Sequence, residues 1–171
     1  HADRSEFGPT LGKALRLAIF LTLPSAVGLY FLAQPLIGVI YERGEFRHAD
    51  TVQTGLALQF YSLGLVAYSC IKVLSPAFYA IDKKWTPMCV SFAAIGINFG
   101  LNYLFIFHLG LGHRGLALAT AISAGVNFLT LYVLMLRSEQ SLETGRLLGA
   151  ISRYGLASVA LGFVCWLAVA Q

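Results

Sequence analysis

The stretch Leu17–Tyr41, LAIFLTLPSAVGLYFLAQPLIGVIY, holds 25 consecutive positions without a charged side chain. A hydrocarbon slab roughly 30 Å thick is crossed by about 20 apolar residues of helix, so this segment reads as a membrane span. Working outward, the same pattern returns in Thr51–Ile71, Trp85–His113, Gly115–Leu136 and Tyr154–Gln171, uncharged runs of 21, 29, 22 and 18 residues. Short charged connectors separate them. The expected fold is all-α: a polytopic transmembrane helical bundle of about five spanning helices.

Composition agrees. The 171 residues are 57% hydrophobic and 12% charged, with a mean hydropathy of +0.72; a water-soluble domain carries about 25% charged residues. Net charge is +4, but the basic residues sit at the ends of apolar runs and form no patch able to track phosphates, so a nucleic-acid partner is not expected. Cys70, Cys89 and Cys165 lie inside apolar runs without metal or disulfide spacing and read as small buried hydrophobes. His108 and His113 flank a turn without a carboxylate or cysteine partner in sequence, a poor metal site; no metal and no cofactor are expected. HExxH, GxSxG, a P-loop and paired intramembrane aspartates are all missing from the sequence, so an enzyme is not expected.

The first residue is His1, which suggests a piece of a longer polypeptide. Arg4, Lys13 and Arg16 resemble a signal-peptide n-region, but the apolar run that follows is too long for an h-region and no small-x-small site closes it. A span is the better reading. Helix one is expected over about 14–40, bent by Pro24 near Phe20–Leu23. Helix two is expected over about 52–81, carrying Lys72 and Pro76. Helix three starts near Pro87, a residue suited to a first turn, and ends near Phe107 before the glycine-rich break Gly110–Gly115; helix four covers about 115–136. Residues 1–137 thus form a four-span unit. Residues 138–153 mix Leu142, Leu147, Leu148 and Ile151 with Glu139, Glu143, Arg146 and Arg153. They read as an amphipathic connector, a surface helix or a solvated loop. Residues 154–171 are an additional span, with Tyr154 and Trp166 towards its ends as interfacial aromatics.

Charge sets orientation. Arg4, Lys13, Arg16, Lys83, Lys84, Arg137, Arg146 and Arg153 fall on one side, eight against Arg43, Arg47 and Arg114 on the other. The richer side is cytoplasmic by the positive-inside rule, and the 42–50 and 108–114 connectors face outward.

Within the spans, Lys72 lies ten residues before Asp82, about 15 Å along a helix and so near the bilayer midplane. A lysine there costs roughly 2.5–3.5 kcal/mol on insertion scales and normally faces a bundle interior or a water-filled cavity. It either meets an anionic substrate group or a carboxylate, or snorkels, or bonds carbonyls freed by Pro76. Ser91, Asn98 and Asn102 share one face of helix three, and Gly96 and Gly100 form a GxxxG pattern suited to close helix packing. Thr120, Ser123, Ala124 and Asn127 repeat the polar-and-small theme on helix four. Tight packing of these two helices is the main expectation; Asn98 and Asn102 as the lining of a transport path is the other.

Three segments carry a family resemblance: Leu21–Leu29 leading to Tyr41-Glu42-Arg43-Gly44-Glu45-Phe46; Ala57–Leu65 leading to Lys72-Val73-Leu74-Ser75-Pro76-Ala77-Phe78-Tyr79-Ala80 and Thr86-Pro87; and Gly115-Leu116-Ala117-Leu118-Ala119-Thr120. Together they resemble the MurJ (MviN) family of bacterial lipid II flippases, in the MOP exporter superfamily. The resemblance implies a fold of fourteen transmembrane helices, of which this chain corresponds to the ninth to thirteenth: residues 1–137 in the C-terminal lobe and 154–171 one of two further helices. It implies a multi-pass protein of the bacterial cytoplasmic membrane that moves the undecaprenyl-pyrophosphate-linked peptidoglycan precursor between leaflets by alternating access. The implied partners are lipid II, membrane lipids and the earlier helices of the same protein. The family's pyrophosphate-binding arginines lie on those earlier helices. Lys72 matches a family lysine, and the last helix matches one wall of a groove for the lipid tail. Pro24 and Pro76 are candidate hinges. The alternatives are another MOP-type exporter (a polysaccharide-lipid flippase or cation-coupled drug exporter) or a non-transporting membrane scaffold.

Overall fold

Five long helices account for the chain in the computed structural model, which describes residues 4–138 and 144–169. They are α1 (Arg4–Tyr41), α2 (His48–Ala80), α3 (Trp85–Tyr103), α4 (Gly112–Ser138) and α5 (Thr144–Val169). Among the described residues each is long and apolar enough to cross a membrane, α3 together with the π-helical stretch Leu104–His108 that extends it. The connectors have simple local causes. After α2, Asp82 adopts φ 58, a left-handed conformation that a short polar side chain tolerates better than most. There the Lys83 N–H returns to the Phe78 carbonyl at 3.0 Å. Between α3 and α4, Gly110 and Gly112 sit at φ 63 and 52; only glycine enters that region without steric cost. Before α2, the Arg47 N–H donates to the Asp50 carboxylate at 3.0 Å, which offsets one unserved donor at the helix start.

By their contacts the helices follow the order α5–α1–α2–α4–α3, with α3 also touching α2 and with no contact between α3 and α5 among the described residues. The large core side chains gather at the end carrying the 81–84 turn: Leu11, Leu15 and Ile19 of α1, Cys70, Leu74 and Phe78 of α2, Leu131 and Met135 of α4, and Leu147 of α5. Towards the opposite end most of the buried positions are small, among them Ala26, Ala33, Gly55, Ser62, Gly64, Ala117 and Ala119, with Ile37 a larger exception. In lipid no hydrophobic drive holds helices together, and close backbone approach with van der Waals packing takes its place. The glycines that permit it are Gly55, Gly64 and Gly162. A Cβ on Gly64 would lie 3.1 Å from the Ala121 Cα, and one on Gly162 would lie 2.8 Å from the Phe31 ring.

Several expectations are corrected here. Gly96 and Gly100 are exposed, and a Cβ at either meets nothing within 4 Å, so the GxxxG pattern packs no helix among the described residues. Counting along α3 places these glycines on the face turned away from α4. The segment 144–153 is not a separate surface helix. It is the first part of α5, which runs without interruption to Val169; the rest of the expected connector, 139–143, lies outside the described residues. Tyr154 therefore stands well inside α5, edge-on to the Phe20 ring at 5.1 Å. Cys70 is buried as expected, but Cys89 is exposed. Helix α1 begins at Arg4 and passes through Pro9, Pro24 and Pro35. Beside the Phe20 carbonyl that Pro24 cannot serve, the Thr22 and Ser25 hydroxyls donate to the Ala18 and Leu21 carbonyls, each at 2.7 Å.

The two-sided partition of charge has a structural counterpart. Lys83 Nζ donates to Ser138 Oγ at 2.9 Å, which puts the 81–84 turn and the end of α4 together. At the other end, Phe46 and Asp50 share a pocket with His113.

Candidate functional site

Polar side chains inside the spans converge where α2, α3 and α4 meet. A cavity of about 250 Å³ is lined there by Tyr68 of α2, Ser91, Ala94, Ile95 and Asn98 of α3, and Thr120, Ser123, Ala124 and Asn127 of α4. Its polarity follows from position: α3 buries only Pro87 and Ala94, so it leans on α4 through small and polar residues instead of a ridge of leucines. Asn98 Nδ2 donates to Thr120 Oγ1 at 3.4 Å, and Asn102 Nδ2 donates to Asn98 Oδ1 at 2.9 Å. Thr120 and Ser123 return their own hydroxyl protons to the Leu116 and Ala119 carbonyls, at 2.8 and 2.7 Å. Two amide oxygens, Asn102 Oδ1 and Asn127 Oδ1, are buried without a donor. A buried acceptor left so costs roughly 1–3 kcal/mol, which makes both oxygens points of attraction for water or another donor.

The three residues expected to line a path are therefore divided. Asn98 and Asn102 come together and bond each other. Lys72 stands apart from them, exposed on α2 and absent from the cavity lining. Its Nζ makes no hydrogen bond or ion pair among the described residues. Pro76, one turn on, has no N–H to give the Lys72 carbonyl, so backbone polarity is added at the same level. Tyr68, one turn before Lys72, connects the lysine's face to the cavity. Sequence reasoning passed over Tyr68; its spacing of four from Lys72 was the available signal.

Two further concavities frame the spans. A groove of about 610 Å³ between α1 and α5 is lined by Leu23, Val27, Phe31, Gly155, Ser158, Val159, Gly162, Phe163 and Trp166. It is apolar throughout apart from Ser158, whose hydroxyl is already bonded to the Tyr154 carbonyl at 2.7 Å. At the end carrying the 42–47 connector, Phe46, Asp50, Gln53, Thr54, Ala57 and His113 enclose about 470 Å³. Beside it Glu42 accepts from Thr51 Oγ1 at 2.9 Å and lies 3.2 Å from His48 Nδ1.

Five apolar helices, a polar cavity among three of them and an oily groove between two others define a multi-pass membrane protein with separate places for polar and apolar groups. The family model described as "Lipid II flippase MurJ" matches residues 1–170, and the chain belongs to that family. It is 32% identical over 169 residues to the lipid II flippase MurJ of Burkholderia cenocepacia, covering 98% of this chain and 32% of the relative. It is 37% identical over 132 residues to a probable lipid II flippase MurJ of Vibrio cholerae, covering 77% and 24%. Among solved structures, a lipid II flippase MurJ in an inward closed conformation superposes with a TM-score of 0.76 at 30% identity, covering 96% of this chain and 38% of that one. The chain thus spans about a quarter to a third of the length of these two relatives. Membership in this transporter family and the five apolar spans make it part of a multi-pass protein of the bacterial cytoplasmic membrane.

Proposed function

We propose that these helices are part of a flippase that carries lipid II, the undecaprenyl-pyrophosphate-linked peptidoglycan precursor, across the cytoplasmic membrane by alternating access. The observation that carries this reading is the superposition, over 96% of the chain, on a lipid II flippase whose identity to it is 30%. The physics is demanding in a specific way. A pyrophosphate-sugar-peptide head cannot enter hydrocarbon without a very large desolvation cost, while its polyprenyl tail has no reason to leave lipid.

The helices offer a surface for each half. The α1–α5 groove suits the tail, because its walls are apolar and its length follows the spans. Lys72, with no carboxylate beside it, is assigned to the path of the anionic head; Asn98 lines the adjoining polar cavity, with Asn102 bonded to it. In this reading residues 1–137 are the last four helices of a C-terminal lobe, completed by earlier helices of the same protein, and the 81–84 end faces the cytoplasm. Pro24 and Pro76, each leaving a carbonyl without its helical donor, are where α1 and α2 flex as the lobes rock. The work is transport, with no bond made or broken by these residues.

The test uses the full-length protein. It should restore growth to cells depleted of their own lipid II flippase and should bind labelled lipid II in vesicles. Absence of rescue despite normal membrane insertion, or selective affinity for a drug cation in place of lipid II, overturns the assignment.

A further inference from the structure

Helix α2 carries a polar seam that neither its packing nor its capping uses in full. Asp50, Thr54, Tyr61, Tyr68, Lys72 and Tyr79 are separated by four, seven, seven, four and seven residues. At 3.6 residues per turn they fall within an arc of about 40°. All six are exposed, whereas Thr51, Gly55, Ser62, Cys70, Leu74 and Phe78 of the same helix are buried against its neighbours. From Asp50 to Tyr79 the seam is about 44 Å long at 1.5 Å per residue, close to the roughly 40–45 Å of a bilayer with its headgroup layers. At one end Asp50 and Thr54 open into the pocket shared with His113. Midway, Tyr68 lies over Gly64, 3.5 Å from where its Cβ would be, and lines the cavity of α2, α3 and α4.

Such a face is wrong for lipid. Three phenols and an ammonium group in one file would strand their hydrogen-bonding capacity in hydrocarbon. It is also unbalanced in charge. The described carboxylates, Glu6, Glu42, Glu45, Asp50 and Asp82, all lie near helix ends or in connectors, and Asp50 already caps α2. None stands beside Lys72. A lone cation with phenolic donors and flat ring faces above and below it is complementary to an anionic saccharide: sugar rings lie against aromatic faces, hydroxyls exchange hydrogen bonds with phenols, and the negative group rests at the ammonium.

Building on the transport reading above, we infer that the seam Thr54–Tyr61–Tyr68–Lys72–Tyr79 is the wall along which the diphosphate-linked saccharide head travels, with the tyrosines setting its register. The α3 asparagines stand behind this wall: Asn98 and Asn102 spend bonds on each other and on Thr120.

The experiment takes active full-length protein with its native cysteines replaced and single cysteines placed at 54, 61, 68, 72 or 79. A water-soluble maleimide should modify all five. Purified lipid II should slow modification several-fold, while a cysteine at the exposed Leu63, on another face of α2, should resist the reagent. Two outcomes sink the inference while wild-type transport persists: resistance at 61, 68 and 79, meaning other helices cover the seam, or modification indifferent to lipid II. Loss of the transport reading itself would show differently, as failure of the wild-type protein to move lipid II. As a second readout, Tyr68→Phe should retain transport and Tyr68→Ala lose it at equal membrane yield; equal activity of the two removes the stacking role.

Discussion

Lys72 shows how one side chain can be visible in sequence and still be placed only by its neighbours. Its depth followed from counting ten residues to Asp82, but the direction it faces depended on which side of α2 met α1 and α4. Losing a charge-assisted contact worth roughly 1.5–3 kcal/mol should slow lipid II transport about ten- to a hundredfold in Lys72→Ala, with membrane yield unchanged; unaltered transport rates in vesicles would make the residue a bystander. The glycines give the complementary lesson. Gly64→Ala sets a methyl 3.1 Å from the Ala121 Cα, and overpacking of that kind costs typically 1–3 kcal/mol. A lower thermal midpoint of the purified protein is the expected result. Gly100→Ala adds a methyl to open space and relieves the helix-propensity penalty of glycine, about 1 kcal/mol, so its midpoint should hold or rise.

At the scale of elements, α3 is the loosely held helix. It buries only Pro87 and Ala94 and relies on the Asn98–Thr120 bond to fix its register on α4, with Asn98 itself held by Asn102 one turn on in the same helix. Asn98→Ala removes both at once. An interhelical bond in a membrane averages about 0.6 kcal/mol, and only the bond to Thr120 is of that kind, so the expected loss is about 0.6 kcal/mol, read as faster amide exchange confined to α3. Uniform exchange across α1–α4 would contradict this. The limits of each span were legible because charge runs, glycines and prolines punctuate the chain. The continuity of α5 was not: Arg146 and Arg153 looked like surface residues of a connector, yet in the structure they belong to the same helix as the apolar Leu156–Leu167 stretch.

For the whole molecule, the decisive property is which end lies in the cytoplasm. Two observations agree on the pairing of ends: the Lys83–Ser138 bond joins two basic connectors, and Asp50 shares a pocket with His113 across the two poorer ones. With cysteines at 45 and 84 in the full-length protein, an impermeant thiol reagent added to intact cells should label position 45 and spare position 84. Equal labelling would refute the orientation.

The number of spans and the partition of basic residues were determined by the sequence alone, because the cost of placing charge in hydrocarbon acts residue by residue and needs no partner. The tertiary structure decided what the helices do to one another. It turned Gly96 and Gly100 outward and Gly64 and Gly162 inward, joined Asn98 to Asn102, and left the polar edge of α2 uncovered. Those outcomes turn on rotation about each helix axis, where lipid is as apolar as leucine and hydropathy barely distinguishes one face from another. Only close packing against a particular neighbour can settle them.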